Sequence, residues 1–328
     1  MLILTNFLRF PAKWTTSSGV SGEALMLKTP WDFLKHSRRA DLVIINCDVE
    51  LTLWLSAYYL LFPWLRRPMM AHDIVLRKPM TFGARMISIV KRFMLSHVDH
   101  YSLHFTNLDG YQKYWGIGPS RASYLPSKPN IRYRYDYKVS PEGEYILCFG
   151  RSERDYDSFF LAMEQLPELP AVIPPPHIAQ LRRHATRFSR SLDELPKNVR
   201  VVEDDGSVQS LIGIIEKARL VILPIVASRI APSGIGTYLN AMLMGKCVIT
   251  SHGVATTDVL TGGEALLVEP EDPDALAAMI RRAWKDDALR LRTAEAGRVY
   301  SENCGGEPEL RQRVLDRAVE KLYRPNIG

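Results

Sequence analysis

The residues best placed to do chemistry lie between Leu220 and Ser251, where the chain reads LVILPIVASRIAPSGIGTYLNAMLMGKCVITS. Leu220–Val226 is an apolar run rich in β-branched residues, the composition of a strand buried on both faces. Ala227–Gly236 is small and polar and includes Pro232, Ser233 and Gly234. Thr237–Met244 sets Leu239, Met242 and Leu243 on one helical face and stops at Gly245. Cys247–Thr250 is a second buried strand. A small-residue loop feeding a helix leaves backbone N–H groups unpaired at the positive end of the helix dipole, a place for an anion such as phosphate. An ordinary turn capped by Ser233 reads the same way, so the loop alone leaves both open.

Two acidic patterns have the spacing of metal sites. Asp155-Tyr156-Asp157 matches D-x-D, but it follows a buried strand and opens a helix, where an aspartate caps the N-terminus. Glu203-Asp204-Asp205 ends another strand, either as solvated charge or beside a bound base. Neither is expected to hold a metal. The four cysteines, Cys47, Cys148, Cys247 and Cys304, are widely spaced and three sit in apolar runs, which points to buried thiols in a reducing cytoplasm and to no zinc. Met1–Phe10 is too short for a secretion signal and runs into Pro11.

Charge divides the chain. Residues 1–140 carry 19 Lys and Arg against 9 Asp and Glu, while residues 141–328 carry 23 against 27. The basic part also holds apolar and aromatic stretches, Tyr58–Arg67 and Met86–Met94, a mixture suited to an anionic membrane surface or a phosphate-bearing acceptor. No nucleic-acid partner is expected. Leu51–Leu65 is uncharged but shorter than the roughly 20 residues of a spanning helix, so both a core helix and membrane contact remain open.

These groups need elements to position them. In the first half, strands are expected at Met1–Asn6, Asp41–Asn46, Pro68–His72 and His100–Phe105, with helices at Trp31–Arg39, Leu51–Leu65, Phe82–Leu95 and near Tyr114. Arg9–Ser21 has no period and reads as a loop. Leu125–Pro141, with three prolines, reads as an interdomain linker. The second half continues with strands at Tyr145–Phe149, Ala171–Ile173, Val199–Val202 and Glu264–Val268, and helices at Asp155–Leu166, Val208–Ala218, Ala275–Trp284, Ala288–Tyr300 and Glu309–Tyr323. Strands alternating with helices give an α/β chain with parallel sheets.

Gly150-Arg151 after a strand, Leu239–Ile249 (LNAMLMGKCVI), and Gly262–Pro273 followed by a helix together resemble the donor-binding domain of a GT-B glycosyltransferase, most similar to the retaining family 4 enzymes (glycosyl transferases group 1). The resemblance covers Tyr145–Tyr300. The first half matches more loosely, through Asp41–Asn46, His72-Asp73 and His100–Thr106. It implies two Rossmann-like domains facing a central cleft. Residues 1–127 would be the acceptor domain, with helix 309–328 packing back on it, 128–141 the linker, and 142–308 the nucleotide-sugar domain.

The resemblance also implies roles. Gly150, Arg151 and Arg154 would hold the donor diphosphate, with Ser233, Gly234 and Thr237 on its other side, and Asn240 would face the ribose. Asn240 stands where the family places a glutamate, and Pro232 stands where it places a second, eight positions earlier. His72 and Asp73 would meet the acceptor hydroxyl or the donor sugar, with His104 a lesser candidate. The implied reaction moves a sugar from a UDP- or GDP-sugar, a substrate rather than a cofactor, to a hydroxyl of a glycan or lipid-linked acceptor, with retention and without metal. A cytoplasmic enzyme peripheral on the inner face of the membrane fits this. A sugar-nucleotide epimerase and a non-catalytic GT-B partner with a degenerate donor site remain as alternatives.

Overall fold

A computed structural model describes residues 1–177, 181, 183–227 and 230–323. The chain divides into two units, Met1–Pro126 with Pro308–Gly328, and Ser127–Glu307.

The first unit is built on a seven-stranded sheet ordered β2-β3-β1-β4-β5-β6-β7. Its strands are β1 (Leu2–Thr5), β2 (Lys13–Thr15), β3 (Ser21–Met26), β4 (Leu42–Asn46), β5 (Met69–His72), β6 (His100–Leu103) and β7 (Ala122–Tyr124). All neighbours are parallel except β2 with β3. The central strands β4, β5 and β6 are almost wholly buried; the apolar run of β4 needs cover on both faces, and the buried polar groups of β5 and β6 are bonded across the sheet, His72 Nδ1 with Ser102 Oγ and His100 Nε2 with Ser123 Oγ. The helix Glu307–Leu322 lays Leu310, Val314, Leu315, Ala318 and Val319 against Ile3, Phe7, Leu42, Ile44 and Met70, so the return of the C-terminal segment to the first sheet is observed.

One expectation for this unit is corrected. The stretch expected as a loop, Arg9–Ser21, contains β2 and the start of β3, an antiparallel pair at the sheet edge. Edge strands with one exposed face carry no continuous apolar run, and here Trp14 alone is buried in β2. The helix expected within Leu51–Leu65, ending near Pro63, runs over Val49–Leu61 and gives way to a 3-10 turn at Pro63–Leu65, where Pro63 has no N–H for the helix ladder.

The second unit has a six-stranded, all-parallel sheet ordered β10-β9-β8-β11-β12-β13. Its strands are β8 (Tyr145–Cys148), β9 (Ala171–Ile173), β10 (Val199–Val201), β11 (Ala218–Leu223), β12 (Cys247–Ser251) and β13 (Leu266–Val268). One face packs on Phe159, Phe160, Met163 and Ile280, the other on Ile212, Ile215, Leu239 and Met242. The segment expected as a linker is instead a layer of this unit. Ile131 is in the core, the Lys138 amide donates to Glu216 Oε1, and the Ser140 amide donates to the Met244 carbonyl. Its prolines forbid helix and strand, but not packing.

Candidate functional site

Most helices among the described residues begin on a polar side chain that accepts a hydrogen bond from their first turn. Asp48, Thr81, Asp155, Ser207, Asp272 and Asp286 all do this, so Asp155 of the D-x-D pattern is a helix cap, while Asp157 accepts from the Ser189 amide. The helix Ile235–Leu243 differs. It starts at Gly234, in the left-handed region at φ 84°, with no side-chain cap. The first intrahelical bond is donated by Tyr238 N to Gly234 O, so the N–H groups of Ile235, Gly236 and Thr237 have no carbonyl within the helix to bond. The serine-cap reading is therefore corrected. Ser233 Oγ turns away from the helix, donates to the Ser152 carbonyl at 2.6 Å and accepts from Arg154.

Arg154 lies behind this uncapped tip and is 1% exposed. Its Nη1 donates to Ser233 Oγ at 3.1 Å and to Ser152 O at 2.9 Å, its Nη2 to Thr237 Oγ1 at 3.2 Å, and its Nε to Phe149 O at 3.2 Å. Every one of these acceptors is a neutral oxygen. Burial depresses the arginine pKa, the expected cost of a cation removed from water with no carboxylate bonded to it. Two glycines make room for the guanidinium. A Cβ on Gly150, at φ 118°, would lie 2.5 Å from Arg154 Nε, and one on Gly234 would lie 3.2 Å from Nη2. The sequence-nominated Gly150, Arg154, Ser233, Gly234 and Thr237 are thus brought together around one buried charge, although 83 positions separate Arg154 from Thr237.

Arg151 is on the same loop and exposed; its carbonyl accepts from Thr186 Oγ1, which in turn accepts from the Arg154 amide at 3.0 Å. Thr186 escaped the sequence reading, because nothing in its neighbourhood marks it and the contact spans 32 residues. Asn240 is placed elsewhere. Its Oδ1 accepts from the amides of Asn130 at 2.7 Å and Ile131 at 3.4 Å, so its acceptor oxygen is engaged within the protein rather than available to a ribose.

In the first unit, the carboxyl ends of β4, β5 and β6 collect a second polar group. Asp73 and Cys47 both follow strands and both hold positive φ, 49° and 52°, a strained backbone costing about 1–3 kcal/mol each that is commonest at functional sites. Cys47 Sγ is 3.4 Å from Asp73 Oδ2, and His104 Nε2 is 3.9 Å from the same oxygen. Cys47 was missed, although the strand-end argument that selected Asp73 applies to it equally. His72, expected at the acceptor, is interior instead: it is 1% exposed, bonds Ser102 Oγ through Nδ1 at 3.0 Å and stands edge-on to His104 at 4.9 Å. Burial, reinforced by His104, holds its pKa well below the usual imidazole value. Its side chain alternates inward on β5 while Asp73, one residue on, leaves the strand half-buried.

Among the described residues there is no group of three or more His, Cys, Asp or Glu side chains arranged to hold a metal ion. No helix among them is long and apolar enough to cross a membrane.

Two largely parallel, Rossmann-like sheets, one in each unit, define the class: the chain has the GT-B fold. Residues 143–286 match the family model described as glycosyl transferases group 1. Solved structures agree. The HepE protein of Anabaena, in complex with UDP, superimposes with TM-score 0.67 at 14% identity, covering 91% of this chain and 86% of that one. Sucrose-phosphate synthase of Thermosynechococcus elongatus gives 0.65 at 16% identity over 98% and 88%. A glycosyltransferase of Rickettsia africae gives 0.62 at 14% identity over 92% and 86%. At such identities the likeness establishes the fold. A comparison with curated protein sequences finds no match.

Proposed function

We propose that the protein is a glycosyltransferase that moves a sugar from a nucleotide-sugar donor to a hydroxyl of a glycan or lipid-linked acceptor. The observation that carries this is the uncapped N-terminus of helix Ile235–Leu243, backed by a buried Arg154 whose partners are all neutral. A helix tip and a desolvated cation both stabilise negative charge, and they do so most where it accumulates, on a departing nucleoside diphosphate. The group 1 match over the same residues supports the reading. So do the HepE structures with UDP and with UDP-glucose, which favour uridine nucleotides as the first donors to try.

In this reading Arg151, Gly150 and the amides of Ile235 to Thr237 bind the diphosphate, and Arg154 supplies fixed positive charge behind them. Asp73 orients the acceptor hydroxyl. The bond from the anomeric carbon to the β-phosphate oxygen breaks and the bond to the acceptor oxygen forms on the same face, so configuration is retained. The acceptor proton passes to the leaving phosphate. No carboxylate nucleophile and no metal is invoked.

A second reading, a partner protein without catalysis, is favoured by the engagement of Asn240 with Asn130. Isothermal titration with UDP, GDP and ADP separates the two. Binding of one diphosphate, weakened at least tenfold by Arg151→Ala while the free nucleoside is unaffected, supports the donor site. Binding of none removes it, and equal weakening of nucleoside and diphosphate removes the phosphate role of Arg151.

A further inference from the structure

The helix Phe82–Leu95 has a pronounced apolar stripe, and the stripe faces the wrong way for a core. At about 100° per residue, Phe82, Met86, Ile89 and Phe93 fall within an arc of ~60°. All four are exposed, Phe82 at 81%, whereas the buried residues of the helix, Ser88 and Leu95, lie on the opposite side. The stripe therefore points directly away from its own unit. The neighbouring helix Val49–Leu61 leaves Trp54 and Leu61 exposed as well, and Trp64 follows it, 63% exposed. Soluble proteins rarely leave so much contiguous apolar surface uncovered.

Charge says what covers it. Between Asp73 and Asp99 there is no acidic residue, while Arg77, Lys78, Arg85, Lys91 and Arg92 fall in that interval. Arg85 and Arg92 flank the stripe on one side, whereas Lys91 lies on the opposite face of the helix. A second copy of the chain would set like charge against like. An anionic bilayer matches both halves of the pattern: headgroup phosphates meet the cations, acyl chains meet the stripe, and exposed tryptophans settle at the interface.

We infer that the first unit docks on anionic phospholipid membranes through helix Phe82–Leu95, with the stripe inserted at the acyl boundary and Arg85 and Arg92 beside it meeting the headgroup phosphates. The inference is independent of the donor chemistry of the second unit. Flotation of the full chain with phosphatidylcholine vesicles, with and without phosphatidylglycerol, tests it. The protein floats with anionic vesicles at low salt and is released by high salt. The exposed pair Arg85→Ala and Arg92→Ala weakens binding roughly fivefold per residue. The pair Ile89→Asp and Phe93→Asp abolishes it without changing the circular dichroism spectrum. Failure to float with anionic vesicles at low salt overturns the inference, as does flotation of the Ile89→Asp, Phe93→Asp variant equal to that of the parent. A parent that is dimeric by gel filtration, does not float, and becomes monomeric in that variant would assign the stripe to self-association instead.

Discussion

Arg154 and Thr237 meet at 3.2 Å, a guanidinium from the loop after β8 donating to a hydroxyl in the first turn of helix Ile235–Leu243. The bond joins the two loops that carry the proposed donor site, and the space for it exists because Gly150 and Gly234 have no side chains.

Gly150→Ala should be the more damaging of the two glycine replacements. It imposes a left-handed residue and a 2.5 Å approach to Arg154 Nε, a combined cost of roughly 2–4 kcal/mol. At Gly234 the nearest approach is 3.2 Å, so strain dominates and the loss is about 1–2 kcal/mol. Urea denaturation of both variants measures the difference; equal losses would mean that the guanidinium moves aside without cost.

Asp73→Asn separates chemistry from folding. Asparagine tolerates positive φ as well as aspartate does, so the fold at φ 49° is kept. Sugar transfer should fall about a hundredfold with the nucleotide affinity unchanged. Transfer at the parental rate would remove Asp73 from the acceptor site.

Asn240→Ala should loosen the segment before β8 rather than the ligand. The amides of Asn130 and Ile131 lose their acceptor, and hydrogen exchange there accelerates about fivefold, the equivalent of one hydrogen bond of ~1 kcal/mol. Nucleotide affinity stays at the parental value. Unchanged exchange with lost affinity would return Asn240 to the ribose.

Acid should destabilise the first unit before it destabilises the second. His100 is pushed down from 6.5 to about 4, first by burial and then by Lys321 and Arg317 from the C-terminal helix. The unfolded chain therefore binds a proton that the folded one refuses between those values. Stability is complete above about pH 6.5 and falls as pH drops toward 4. His72, also depressed by burial, adds in the same direction. The urea midpoint of His100→Asn should vary less between pH 7 and pH 5 than that of the parent, and a parallel pair of curves would exclude His100 as the source.

The fold was legible where one local signal sufficed. Thr81 before an apolar period marks the helix Phe82–Leu95 to the residue, and the β-branched runs of β4, β11 and β12 announce buried strands. Periodicity alone shows only which side chains share a face; it is the basic residues around Met86–Met94 that point this face outward, and Met86, Ile89 and Val90 are exposed. Gly150, Arg154, Ser233, Gly234 and Thr237 come together because each lies near a strand end or helix start, positions that sequence marks, while Asn240 does not join them. Thr186, Asn130 and the inward turn of His72 depend on contacts 30 to 110 residues away, which no spacing encodes.

The final helix, Glu307–Leu322, supplies the cover for Ile3, Phe7 and Met70. During synthesis the first sheet therefore waits, its apolar side open, while everything needed by residues 127–307 has already left the ribosome. The later half of the polypeptide can reach its native state first, and a nascent chain halted short of Pro308 would display the very surface that chaperones capture.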